Sequence, residues 1–445
     1  MGWSLRQARA TNVLSNRNFL LLWSAQAITM TAQNAIWFSL VVIVEDATHS
    51  SMQLSFAILS TIVPSILFGV TAGALVDKMD KRTVMVAANF LRTIAILGYL
   101  LYDRSLASVY VVNLVFQSIG QFFGPAEYAT IPAVVSKPQL VTANSLFNIT
   151  FTASQVAGII ILAPLFLKMT GPTGLFLTSF VAYLVATLLV SLLPSSPAPS
   201  RAFVRPKNGL VKQTWCEVVE GLRFIREDRR TTLAMGHLTL LTAIMLVGAM
   251  LLPRFTVSVV GARADDSAFV LAPAGIGILV ATTTIPSLTA RYGKATLVNL
   301  GLMAGGLCFV ALSLLRSVIP VVEPLLAAVL GVVRLHPAIS ATPFLMLIAG
   351  GLGLSMAMVV VPSQTIVMER APEAARGRIF AVQLLLGNLA SVLPLLFVGT
   401  LGDLLGIDLA MGLIAAALLA AAAFSTWQYT RISRETRASA SPPEG

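Results

Sequence analysis

The chain has 445 residues, 56% of them apolar and only 11% charged, with a mean hydropathy of +0.84. A soluble domain carries about 25% charged residues, so this composition argues against a water-soluble enzyme and excludes a disordered chain or a collagen-like repeat. The +11 charge would raise the question of nucleic acid in a soluble protein; two cysteines and three histidines exclude a disulfide framework and a multi-histidine metal site.

A helix needs about 20 apolar residues to cross a bilayer. Apolar runs between charge and turn signals predict twelve such helices, over 19–44, 52–76, 83–101, 107–134, 140–167, 174–193, 232–252, 267–289, 295–315, 343–367, 379–401 and 407–429. The expected class is all-α, polytopic and membrane-embedded. No cleavable signal peptide is expected, because the apolar stretch after Arg6, Arg9 and Arg17 is too long for a signal core. The apolar stretch 318–333 holds Pro320, Glu323 and Pro324 and is read as an external loop with a helix lying at the interface.

The basic residues alternate between loops. Arg6, Arg9 and Arg17, then Lys78, Lys81 and Arg82, the cluster from Arg201 to Arg230, Arg291 and Lys294, Arg370 to Arg378, and Arg431 to Arg437 fall on one side of the membrane. Arg104, Lys168, Arg254, Arg263, Arg316 and Arg334 fall on the other, which places both termini in the cytosol. The chain divides into a six-helix half over 1–193, a linker over 194–231, a second six-helix half over 232–430 and a tail over 431–445. The linker opens Pro/Ser-rich and then sets Val211, Trp215, Val218, Val219, Leu222 and Ile225 on one helical face, as for a helix lying on the inner leaflet.

Four patches carry a family resemblance: G-A-L-V-D-K-M-D-K-R (73–82), F-F-G-P-A-E-Y-A-T-I-P (122–132) leading into A-N-S-L (143–146), V-P-S-Q-T (361–365) and A-R-G-R (375–378). Together they resemble the major facilitator superfamily, in the branch holding macrolide-efflux proteins and enterobactin exporters. The resemblance implies two pseudo-symmetric six-helix halves, and Pro125-Ala-Glu127 is echoed by Pro362-Ser-Gln364. It also implies a gate built from Gly73, Asp77, Lys78, Lys81 and Arg82, with Asp77 meeting the start of the eleventh span near Gly377 and Arg378. The other reading of these bases is that they only enforce topology.

Polar side chains are costly in lipid and are expected to face a cavity or another helix. The first span carries Gln26, Thr29, Gln33, Asn34 and Trp37; the fourth carries Asn113, Gln117, Gln121 and Glu127; the fifth carries Asn144, Asn148, Thr152 and Gln155. Gln26, Gln33, Asn34, Trp37, Asn113, Gln117, Gln121, Gln155 and Gln364 are the candidate cavity residues, against the alternative of interhelical bonding alone. Arg92, well inside the third span, is expected to pair with Glu127, either structurally or as a coupling group; His237 in the seventh span is a proton carrier or a packing residue. Relatives often place an acid midway along the first span, where this chain has Gln33-Asn34, and amides do not carry protons at neutral pH.

The expected function is secondary export of an amphipathic small molecule by alternating access. No Walker-type loop is present, and no nucleophile–base pair stands in a span, so an enzyme is not expected. Partners are a small-molecule substrate, protons as the candidate coupling ion, and the lipid bilayer of the cell membrane; no cofactor, metal or nucleic acid is called for, and a monomer is expected. A lipid or lysophospholipid transporter and a non-transporting membrane receptor remain as alternatives.

Overall fold

A computed structural model describes residues 13–100, 105–195, 210–260, 264, 267–331, 342–372 and 376–440. Among them the regular structure is entirely helical. Helix α1 (Arg17–Thr48) begins at Asn16, whose side chain accepts from the backbone N–H groups of Asn18 (3.0 Å) and Phe19 (3.3 Å). It ends where His49 turns left-handed at φ 48°. Helices α2 (Ser51–Val76), α3 (Lys81–Leu100) and α4 (Leu106–Val134) follow the expected second to fourth spans.

Helix α5 (Leu140–Gln155) passes through a π segment, Val156–Leu162, into α6 (Ala163–Ser191). The break lies inside α6, at Gly171 (φ 69°, ψ −173°) followed by Pro172. A glycine with positive φ before a proline kinks the helix where the sequence places the boundary between its fifth and sixth spans. The amphipathic linker segment forms α7 (Leu210–Glu227). Next come α8 (Arg229–Phe255), α9 (Ser267–Tyr292), α10 (Lys294–Gly331), α11 (Thr342–Arg370), α12 (Arg376–Leu404) and α13 (Ile407–Ala440).

Among the described residues ten helices are long and apolar enough to cross a membrane, or eleven with the bent pair Ala272–Ile278 and Thr283–Tyr292 taken as one span. One expectation is overturned. Residues 318–331 are not a separate interfacial helix, because α10 continues without a break through Gly331. Its 38 residues reach about 57 Å at 1.5 Å per residue, well beyond a hydrocarbon core of about 30 Å.

The described residues group into two compact units, within Met1–His49 and Phe56–Val219 (unit 1) and within Ser50–Ser55 and Glu220–Gly445 (unit 2). In unit 1, α1 packs on α6, and α3 packs on α4 and α6. Phe19, Leu22, Ala25, Met85, Ala88, Phe123, Ala126 and Phe147 form a shared core. Beside it Tyr99 stacks on Phe176 at 4.8 Å and Phe116 meets Tyr183 edge-on at 5.5 Å. In unit 2 the pairs α3–α4 and α3–α6 recur as α10–α11 and α10–α13. There α9 and α11 approach backbone to backbone: a Cβ on Gly277 would collide with the Gly350 carbonyl, and one on Gly353 with Ala274.

Candidate functional site

The polar residues of α1, α3 and α4 form two buried layers in unit 1. In the first, Arg92, 2% exposed, donates to Gln33 Oε1 at 2.6 Å. Its guanidinium lies over the rings of Phe116 (4.2 Å) and Tyr183 (4.9 Å). Gly120 makes room for it, because a Cβ there would stand 3.1 Å from a guanidinium nitrogen. One acceptor and two ring faces thus hold a cation that lipid would not tolerate alone.

The second layer lies one to two turns away, about 5–10 Å along the helices. Gln26 stands seven residues before Gln33, Glu127 seven after Gly120, and Asn89 three before Arg92. All three are buried, and their side-chain oxygens and amide nitrogens have no hydrogen-bond partner. The expected direct Arg92–Glu127 ion pair is therefore not formed. Heptad spacing puts the acid one layer from the base, and Gln33 takes the place of the carboxylate.

Asn113, expected in a cavity, is consumed by the scaffold. It accepts from the Tyr99 hydroxyl (3.0 Å) and donates to Ser60 Oγ (2.7 Å) and Thr61 Oγ1 (2.9 Å), tying α2, α3 and α4 together. Gln117 is buried, and Gln121 is half-buried with its amide toward the Gln117 carbonyl at 3.4 Å. Gln33, Asn34 and Trp37 are half-buried, and Asn34 donates to the Met30 carbonyl of its own helix at 2.8 Å. Asn144, Asn148, Thr152 and Gln155 are exposed along one face of α5.

The loop after α2 is built as a double cap. Lys81 Nζ donates to the carbonyls of Val76 (2.8 Å), Asp77 (2.8 Å) and Met79 (3.0 Å), closing the end of α2. Asp80 caps the start of α3 through the Thr83 N–H (2.9 Å) and hydroxyl (2.7 Å), and Arg82 donates to the Ser191 carbonyl at the end of α6. Asp77 is exposed, and no atom lies within 4 Å of a Cβ placed on Gly73. The expected meeting of Asp77 with Gly377 and Arg378 lies outside the described residues.

In unit 2, Asp228 repeats the Asp80 cap. It accepts from the Thr231 N–H (2.9 Å) and hydroxyl (2.6 Å) and pairs with Arg370 at 2.8 Å. Partial burial pushes this carboxyl up, but the Thr231 bonds and the Arg370 guanidinium outweigh it and hold it below the usual carboxylate range. Lys294, after the left-handed Gly293, pairs with Glu369 of α11. His237 is buried on α8 with Nδ1 unpartnered, and lines a cavity of about 550 Å³ with Arg226, Arg229 and Phe424. Gln364 is half-buried on α11.

Sequence reasoning missed Asn89, Gly120, the Tyr99 and Tyr183 rings, both aspartate caps, and Asp403. The caps carried a readable signal, since D-K-R-T (80–83) and D-R-R-T (228–231) each place an aspartate three residues before a threonine at the opening of a helix. Asp403, at the end of α12, accepts from Ser50 Oγ (2.6 Å), Ser51 N (2.6 Å) and Met52 N (3.1 Å) and lies 3.8 Å from Arg254. It caps a helix that starts 352 residues earlier, which no local pattern announces.

The family model described as Major Facilitator Superfamily matches residues 22–393. The uncharacterized transporter YfiS of Bacillus subtilis is 24% identical over 373 residues, 81% of each chain. Macrolide efflux protein A of Streptococcus pyogenes is 30% identical over 128 residues, 27% of this chain and 31% of the relative. The fold resembles the nucleoside transporter NupG (TM-score 0.68, 13% identity, 92% of this chain and 99% of that one). It also resembles an inward-facing bacterial homologue of the iron transporter ferroportin (TM-score 0.68, 15% identity, 93% and 98%).

Proposed function

Because the chain belongs to the major facilitator superfamily, and is thus a multi-pass membrane transporter, we propose that it exports an amphipathic small molecule by alternating access. The observation that carries this reading is the character of the polar surface of unit 1. Gln33, Asn34, Trp37, Gln121 and the α5 face of Asn144, Asn148, Thr152 and Gln155 are half-buried or exposed, and none is charged. In a membrane such a face fits a water-filled path, and amides beside an indole suit a neutral or lipophilic guest. The macrolide-efflux relative supports the same solute class.

Twelve spans with cytosolic termini complete the proposal. Support comes from the ten membrane-length helices among the described residues, the kink at Gly171 and the bent segment within α9, with the alternation of bases setting orientation. Glu127 is the group through which a proton gradient would act, since neither amide of Gln33-Asn34 carries a proton. The test is accumulation of a labelled macrolide in inverted vesicles, with and without an imposed pH gradient. Export predicts uptake that needs the protein and vanishes when the ion gradients collapse. Equal uptake in vesicles lacking the protein would reject this solute class.

A further inference from the structure

The cavity of about 550 Å³ in unit 2 lies between α8 and α13, and the transport reading does not use it. Its size falls in the range of small-molecule pockets. Leu233, Leu240, Ala421 and Phe424 form an apolar wall, while Arg226, from the last turn of α7, and Arg229, the first residue of α8, stand at one end. Among the described residues no acid lines it.

Leu240 lies eleven residues beyond Arg229, about 16 Å along the helix, so the cavity runs from the helix end toward the middle of a core of about 30 Å. An independent marker sets the depth of the cationic end. On α13, Trp427 is more than half exposed, and Arg431 lies 5.8 Å over its ring. An exposed indole beside an arginine is what helices present at headgroup level. Two guanidinium groups at headgroup depth over an apolar shaft match a phosphate with an acyl chain beneath it.

We propose that this cavity binds an anionic phospholipid of the surrounding membrane. The phosphate sits between Arg226 and Arg229, and one acyl chain descends along Leu233, Leu240, Ala421 and Phe424. Gly236 lines the shaft, and a Cβ placed there would enter open space with no atom within 4 Å.

The test uses the full-length protein in a neutral detergent and reads lipid binding rather than transport, so it stands apart from the fate of the export reading. Phosphatidylglycerol should raise the unfolding midpoint and stay bound in native mass spectra, and phosphatidylcholine at the same mole fraction should do neither. Replacing Arg226 or Arg229 by Gln should weaken retention about tenfold each, the equivalent of ~1.4 kcal/mol. Gly236→Leu, which fills the shaft and leaves both charges, should abolish the effect, while Arg223→Gln, outside the cavity lining, should keep it. Equal responses to the two lipids, survival of the response in Gly236→Leu, or its reproduction by inorganic phosphate or by a labelled export substrate would overturn the proposal.

Discussion

Arg92 is held by groups that carry no charge. A guanidinium with a single acceptor at 2.6 Å and two aromatic faces depends strongly on that acceptor. Gln33→Ala should cost about 1.5–3 kcal/mol, the value of a hydrogen bond to a charged group. Gln33→Glu keeps an acceptor at the same place and should restore the melting midpoint; equal melting of Gln33→Ala and the parent chain would show that the rings suffice. Asp228 yields a pH prediction. Its folded carboxyl sits below the ordinary value of about 3.9, so its contribution is complete above that value and fades as pH falls through the lower folded value. The protection of the Thr231 amide, its exchange rate relative to the unstructured rate at the same pH, should therefore fall on acidification, and Asp228→Asn should remove that acid dependence.

Glycine decides how closely the helices of unit 2 can lie. The Gly353 position faces the Ala274 backbone, whereas no atom lies within 4 Å of the Gly275 position one residue further on. Gly353→Ala should force α9 and α11 apart and cost about 1–3 kcal/mol. Gly275→Ala adds a methyl to open space and should be neutral, or stabilising by up to about 1 kcal/mol through helix propensity. Melting of the two variants side by side separates packing from propensity. The same logic applies in unit 1, where a Cβ on Gly158 would lie 2.5 Å from the Thr31 carbonyl, fixing the π segment against α1.

For the molecule as a whole, the loop after α2 anchors its neighbouring bases and leaves Asp77 outside those bonds. Lys81, Asp80 and Arg82 commit their side chains to helix ends and a neighbouring carbonyl, while Asp77 is exposed. Asp77→Asn should thus leave insertion and melting unchanged and reduce vesicle transport to a small fraction of the parent rate. Full transport by this variant would return the loop to a purely topological role. Lys81→Ala should do the reverse and lower stability first, because it uncaps α2.

The membrane class, the helical segments and the break between the fifth and sixth spans were legible in the sequence, because each depends on local quantities: apolar run length, Gly-Pro chemistry and loop charge. The polar stripes were legible as well, since helical spacing alone places Gln26, Thr29 and Gln33 on one face. Their partners were not. Whether Arg92 meets Glu127 or Gln33 depends on the axial register between helices, and a shift of two turns moves a side chain by about 10 Å without altering any local pattern. Asn113 looked like a cavity residue until the bundle brought Ser60, Thr61 and Tyr99 around it. Asp403 gained its role from a helix start 352 residues earlier, and the cavity beside His237 exists only because α8 and α13 enclose it. Sequence spacing reports which side chains share a face; only the packed structure decides what each face meets, because register and close approach are set by the shapes of both partners.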